Sequence, residues 1–251
     1  MLQLEAETLT ALRAQRPRAV LFATSRHWSA DWSAFANVNQ LADIGPEPSG
    51  LRSVVVPNYD GAADLACALK GIGYSDFAIV AGPAELSTVR DRVTGFQSEL
   101  PGVPVYHNAF SRDGGYSATA KLLANGRLPD CIFAVTDVMA IGAIAAIRDA
   151  GLTPGADVAV AGFDGIPLLR DVSPQLTTVA LPLDWIGASA LELPWLKLAI
   201  RHPPAQCSTR FSCASRPQVG IAEQIGEAAS SPVIAAQVAR TWSRELTNLT
   251  S

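Results

Sequence analysis

The stretch Cys131–Leu169, "CIFAVTDVMAIGAIAAIRDAGLTPGADVAVAGFDGIPLL", decides how this chain folds. Cys131–Val135 and Val158–Phe163 have no strongly polar side chain and read as strands buried on both faces. Between them, Val138–Ala150 is rich in helix formers and is stopped by Gly151 at the C′ position. Strand, helix, strand in this order makes a βαβ unit, whose two strands run parallel. Each strand is followed by a carboxylate, Asp137 after the first and Asp164 after the second. Ligands of open α/β sheets sit in the crevice outside the carboxyl ends of the strands, so each carboxylate is either a helix cap or a binding group. Asp137 directly precedes a helix and reads as its N-cap. Asp164 runs into "GIPLL", where Gly165 and Pro167 oppose a regular helix, so it has little to cap.

The same alternation continues on both sides. Towards the amino terminus, strands are expected at Ala19–Ala23, Ser53–Val56, Phe77–Gly82 and Val105–His107. Helices are expected at Glu5–Gln15, Asp60–Lys70, Ser87–Leu100 and Asp113–Ala124, the last capped by Asp113. Ser29–Leu41 is weakly helical and Gly45–Gly50, "GPEPSG", reads as a loop. Beyond Leu169, a helix over Leu183–Ile200 bends near Pro194, and "STRFSCA", Ser208–Ala214, reads as a closing strand. In the tail, Ser231-Pro232 opens a helix whose Ile234, Val238, Trp242 and Leu246 form an apolar stripe, packed on its own chain or on a second subunit.

Composition narrows the function. The 251 residues are 49% hydrophobic and 17% charged, with no apolar run of the roughly 18 to 20 residues that span a bilayer. The start, "MLQLEAETLTALRAQ", carries acidic residues where a secretory leader carries positive charge, so a cytoplasmic protein without a membrane partner is expected. Nineteen Lys and Arg against 23 acidic residues give a net charge of −4, without the basic stripe of a chain that binds nucleic acid alone. Cys67, Cys131, Cys207 and Cys213 form no CxxC pair, so reduced thiols are expected rather than zinc, with Cys207 and Cys213 the pair to compare. His27, His107 and His202 stand apart and read as surface or packed residues. No GxSxG, GxxxxGK[ST] or GxGxxG motif is present, so neither a nucleophile nor a phosphate loop is available. A catalytic carboxylate pair, Asp137 with Asp164, is conceivable, but without a nucleophile or metal cluster we expect no enzyme, no cofactor and no metal.

Taken in order, "GPAELSTVRDRVTGF" (Gly82–Phe96), Cys131–Leu169 and "SPQLTTVALPL" (Ser173–Leu183) resemble the sensor domain of LacI/GalR-type transcriptional regulators. The resemblance runs from about Arg18 to Ile221. It implies an α/β, two-lobed periplasmic-binding-protein-like type I fold with parallel sheets, closing on a small effector, a sugar or nucleoside-like metabolite, and pairing as a homodimer. It divides the chain into a first lobe over residues 1–56 with 183–204, a second over 57–180 with 205–222, and a tail over 223–251. Asp164, in the family's GFD motif, is implied to accept hydrogen bonds from the effector. Arg92, in "RVTGF", is implied to grip its polar atoms, Phe110, in "NAFS", to stack on its apolar face, and Thr136 to stand where the family usually has asparagine. Gly165, Leu181 and Pro57 replace further polar residues of the family, which makes the pocket less polar than a typical sugar site.

Family members also begin with a helix-turn-helix head and then a strand–helix–strand unit. A βαβ unit takes more than about 30 residues, and 18 precede Ala19. The expectation is therefore a first lobe lacking its opening unit and DNA contact only through a helix-turn-helix absent from these residues. The alternative reading is a solute-binding protein of the same fold serving transport.

Overall fold

The computed structural model describes residues 52–192 without a break, together with 11–12, 14–15, 17, 19–23 and 41–45. Its elements, in chain order, are β1 (Val20–Ala23), β2 (Leu41–Gly45), β3 (Arg52–Val55), α1 (Asn58–Gly71), β4 (Phe77–Ala81), α2 (Ser87–Glu99) and β5 (Val105–His107). They continue with α3 (Arg112–Ala124), β6 (Cys131–Ala134), α4 (Asp137–Asp149), β7 (Ala159–Asp164), a 3₁₀ turn over Pro167–Asp171, β8 (Thr177–Ala180) and α5 (Leu183–Glu192). The strands form two sheets with every described pairing parallel, one ordered β1-β2-β3 and the other β5-β4-β6-β7-β8.

The second sheet carries the main core. All five residues of β4 and all four of β6 are buried, as strands covered on both faces require. Helix α1 packs on α2, and α3 packs on α4. On α2, Val89, Val93 and Phe96 turn inward at helical spacing. Phe96 stacks on Phe133 with ring centroids 4.6 Å apart and meets Phe77 edge-on at 5.7 Å. The first sheet has a smaller core, in which Ile186 and Ala190 of α5 pack with Val54.

The expected βαβ units are present, and the corrections concern their ends. Thr136, not Asp137, is the N-cap of α4, accepting a hydrogen bond from the Met139 amide at 3.2 Å. Ser111, not Asp113, caps α3 by accepting from the Gly114 amide. In both cases the hydroxyl one or two residues upstream already sits in the extended conformation that a cap requires. Gly151, at φ 76°, ends α4 as expected. The sequence pattern assigns no strand to Leu41–Gly45, and Leu41 is expected to be helical instead. Ala, Asp and Gly are poor strand formers, and here pairing with β1 and β3 overrides propensity. The short edge strand β8, with its two threonines, likewise gives no apolar signal. Most of the expected helix over residues 5–15 and of that over 29–41, the closing strand Ser208–Ala214, Cys207, Cys213, His27, His202 and the tail stripe lie outside the described residues. Among those described, Cys67 is exposed and Cys131 is buried.

Candidate functional site

In the second sheet the chain passes from β4 to β5 on one side and then returns to β6 on the other. The order therefore reverses between β4 and β6, and the crevice outside their carboxyl ends is where such a sheet takes a ligand. Arg92 reaches this edge from α2. The helix stripe that buries Val89, Val93 and Phe96 also carries Arg92 inward, to 4% exposure. A buried guanidinium needs acceptors, and the fold supplies three. Its Nε donates to Asn58 Oδ1 at 2.8 Å, one terminal nitrogen to the Val135 carbonyl at 2.7 Å, and the other lies 2.8 Å from Asp164 Oδ1. Below it, the Phe163 ring lies 3.9 Å from the guanidinium carbon, which adds a cation–π contact.

Asp164 is the last residue of β7, and its side chain is 22% exposed. It has φ 116°, a conformation that costs an aspartate of order 1–3 kcal/mol and is typical of functional sites. Gly165 follows at φ 73°, so the chain turns sharply away and leaves the carboxylate at the sheet edge. Burial pushes the Asp164 carboxyl above the ordinary aspartate range, and the Arg92 charge and hydrogen bond oppose that rise. Burial likewise pulls the Arg92 value down, against Asp164. A guanidinium keeps its proton in a protein, so the pair is an ion pair half withdrawn from water. Such pairs are weak arguments for stability, because desolvation offsets attraction. Arg92 uses three of its five N–H donors. Asp164 Oδ2 accepts from no described residue. Both groups therefore have capacity left for a third party.

The four residues expected to bind are placed unequally. Arg92 and Asp164 are in direct contact. Thr136 adjoins Val135, whose carbonyl Arg92 holds, but is 7% exposed and has its oxygen engaged as a cap. Phe110 is 38% exposed and lies over Gly82 at the end of β4, so close that a β-carbon on Gly82 would stand 2.4 Å from the ring. It shares the sheet edge with Asp164, two strands away in the order β4-β6-β7.

Sequence reasoning missed Asn58, Phe163 and the true place of Asp137. Asn58 is buried and fixed by its own amide donating to the Val56 carbonyl. Asp137 is fully buried and accepts from the Thr178 hydroxyl at 2.6 Å and the Ile166 amide at 2.9 Å, with the Gly165 amide as a third donor. Enclosed in this way, it cannot act on a substrate as half of a catalytic pair. The legible signal was Gly162, a glycine inside an otherwise apolar strand, which marks a close approach. A β-carbon there would lie 2.3 Å from Asp137 Oδ1. His107 is held by its Nδ1, which lies 2.6 Å from the Gly82 carbonyl. Among the described residues no group of His, Cys, Asp and Glu could hold a metal, and no helix is long and apolar enough to cross a membrane.

Comparison with known proteins matches residues 66–215 to the family described as "Periplasmic binding protein-like domain". The chain is similar to the HTH-type transcriptional repressor PurR of Pasteurella multocida (strain Pm70), at 32% identity over 160 residues, 61% of this chain and 48% of that protein. It is also similar to PurR of Histophilus somni (strain 129Pt), at 32% over 170 residues, 65% and 47%. The chain thus spans about half the length of the curated relatives it matches. Among solved structures, a dimeric Lac repressor with an 11-residue C-terminal deletion superposes with a TM-score of 0.67 at 26% identity, covering 74% of this chain and 71% of that one. A LacI family regulator from Enterococcus faecium with bound ribose superposes equally well at 23% identity, covering 75% and 74%, and supports the fold alone.

Proposed function

Because this chain belongs to the periplasmic binding protein-like domain family, we propose that it is the effector-binding and dimerisation part of a LacI-type transcriptional regulator. The observation that carries this reading is the pairing of Arg92 and Asp164 at the switch-point edge, with donors and an acceptor to spare and with Asp164 in a strained conformation. On this reading Asp164 accepts from the effector, Arg92 donates to it, Phe110 packs on its apolar face and Thr136 lines the pocket. The effector is a small polar metabolite, a sugar or a nucleoside-like compound, and the protein binds it without converting it. A cytoplasmic location is part of the same reading. DNA contact is assigned to a helix-turn-helix outside these 251 residues.

The lobes are residues 1–56 with 183–204 and residues 57–180 with 205–222, followed by a tail over 223–251. The separate sheets, and the packing of α5 on β2 and β3, support this division. The exposed apolar side chains Val138 and Leu168, on the larger lobe, favour pairing with a second copy. Sedimentation should give a dimer at micromolar concentration, and a monomer at every concentration would overturn the dimer.

The effector reading is tested by calorimetric titration with monosaccharides, nucleosides and nucleobases. A hydrogen bond to a charged group contributes roughly 1.5–3 kcal/mol. Asp164→Ala should therefore weaken the tightest ligand by about ten- to a hundred-fold. It should also lower the melting temperature, since it leaves the buried Arg92 guanidinium without its carboxylate. Asp164→Asn should lose less, because it keeps one acceptor. Unchanged affinity in both variants, or binding of no compound in the three classes, would count against the reading.

A further inference from the structure

The strained turn after β7 does not hold itself. Asp164 at φ 116° and Gly165 at φ 73° are followed by a 3₁₀ turn whose N-cap, Ile166, makes no side-chain cap. What meets this turn from behind is Asp137, at the start of α4. Its Oδ2 accepts the Ile166 amide, its carboxylate also takes the Gly165 amide, and its Oδ1 accepts the Thr178 hydroxyl from β8. One fully buried side chain thus ties the first turn of α4, the end of β7 and the edge strand together. Gly162 makes room for it, since any β-carbon there would collide with Oδ1.

We propose that Asp137 is a positioning residue, which clamps the amides of Gly165 and Ile166 and so holds the Asp164 carboxylate against Arg92 at the mouth of the crevice. The proposal rests on the effector-site reading for its purpose, but the clamp itself can be measured without any effector. The chemistry requires an ionised acceptor. Two oxygens serve three donors, and charge roughly doubles the strength of such bonds. The charged and titratable groups facing Asp137 are Asp164 from β7 and Arg92 from α2, and Thr178 supplies the facing hydroxyl from β8. Burial, with the Asp164 charge, lifts the Asp137 carboxyl to about 6 despite its three donors. The folded protein therefore takes up this proton more readily than the unfolded chain. Protonation stabilises the fold as pH falls through about 6, yet it weakens the clamp.

Amide hydrogen exchange and the amide–Hα coupling of Asp164, measured by NMR on the whole chain, test the clamp. The coupling is small at φ 116° and large in extended backbone. In Asp137→Ala, protection at Gly165 and Ile166 should fall about ten- to a hundred-fold while β4 keeps its protection, and the Asp164 coupling should rise. Asp137→Asn should restore only part of both, much as protonation of Asp137 does. Its carbonyl can still take an amide and its amide group can donate to Thr178 Oγ1, but the charge is lost. Thr178→Val frees Oδ1 and should cost Ile166 several-fold in protection, which keeps the test open if the alanine variant does not fold. In the wild type, protection at these two amides, corrected for intrinsic exchange, should drop between pH 7 and 5. Carboxyl ¹³C shifts, repeated in Asp164→Asn, assign that proton to Asp137. Unchanged protection and coupling in Asp137→Ala, or in Thr178→Val together with a flat wild-type pH series, would overturn the clamp and leave the effector reading standing. Intact clamp measurements with no binding of any metabolite would do the reverse.

Discussion

Replacing Arg92 with alanine lowers the free energy of unfolding by about 3–5 kcal/mol, the range for breaking one side of a buried ion pair. The loss comes less from attraction forgone than from what is left behind. Asp164 would keep a mostly buried carboxylate, and Asn58 Oδ1 and the Val135 carbonyl would each lose a donor. The Phe163 ring would lose the cation that lies on it. Urea unfolding at pH 7 measures the difference. It should shrink at pH 5, because burial already favours the neutral form of Asp164 and an abandoned carboxyl can take up a proton. Arg92→Lys should recover only part of the loss, since a single ammonium cannot meet three acceptors held in a planar fork. A deficit under 1 kcal/mol for Arg92→Ala would mean that the network does not organise the sheet edge.

The second large effect lies on the other face of the sheet. A β-carbon on Gly142 would stand 2.0 Å from the Arg112 carbonyl oxygen, and one on Gly115 would stand 2.2 Å from that of Met139. Helices α3 and α4 therefore touch backbone to backbone, and only glycine permits that approach. Helix propensity alone would make alanine better here by about 1 kcal/mol. The steric term should win, since neither carbonyl can swing away without disturbing its own helix. Gly142→Ala and Gly115→Ala should each cost about 1–3 kcal/mol, and together less than their sum, because both act on one joint. Gly187 in α5 is the control, as a β-carbon there would meet nothing within 4 Å. Gly187→Ala should be neutral or stabilising by up to about 1 kcal/mol. Thermal unfolding of the three variants checks the order, and stabilisation by Gly142→Ala would refute the joint.

Legibility in the sequence followed how local each signal was. The βαβ unit around Cys131–Leu169 could be read because buried parallel strands are continuously apolar and Gly151 ends the helix between them. Leu41–Gly45 could not, since its pairing partners lie elsewhere in the chain and its residues carry no strand pattern of their own. Thr177–Ala180, though its Thr and Val favour strands, is only four residues long and too short to stand out. At the site, Asp164 was readable from its place after a buried strand and before "GIPLL", whereas Arg92 was readable only through the family resemblance of "RVTGF". Asp137 was misread as a cap because a carboxylate before a helix is usually one. Only the three-dimensional neighbourhood shows Thr136 taking that role and freeing Asp137 to face inward. The contact of Arg92 with Asn58 joins residues 34 positions apart, which no spacing rule reaches.

The most direct measurement is a crystal structure of the chain bound to the metabolite that binds most tightly in the titration panel. The account predicts a ligand in the crevice outside β4, β6 and β7, with a ligand donor on the Asp164 carboxylate, an acceptor on Arg92, and the Phe110 ring against its apolar side. A ligand seated elsewhere, with Arg92 and Asp164 bonded to each other as they are here and to nothing more, would contradict it.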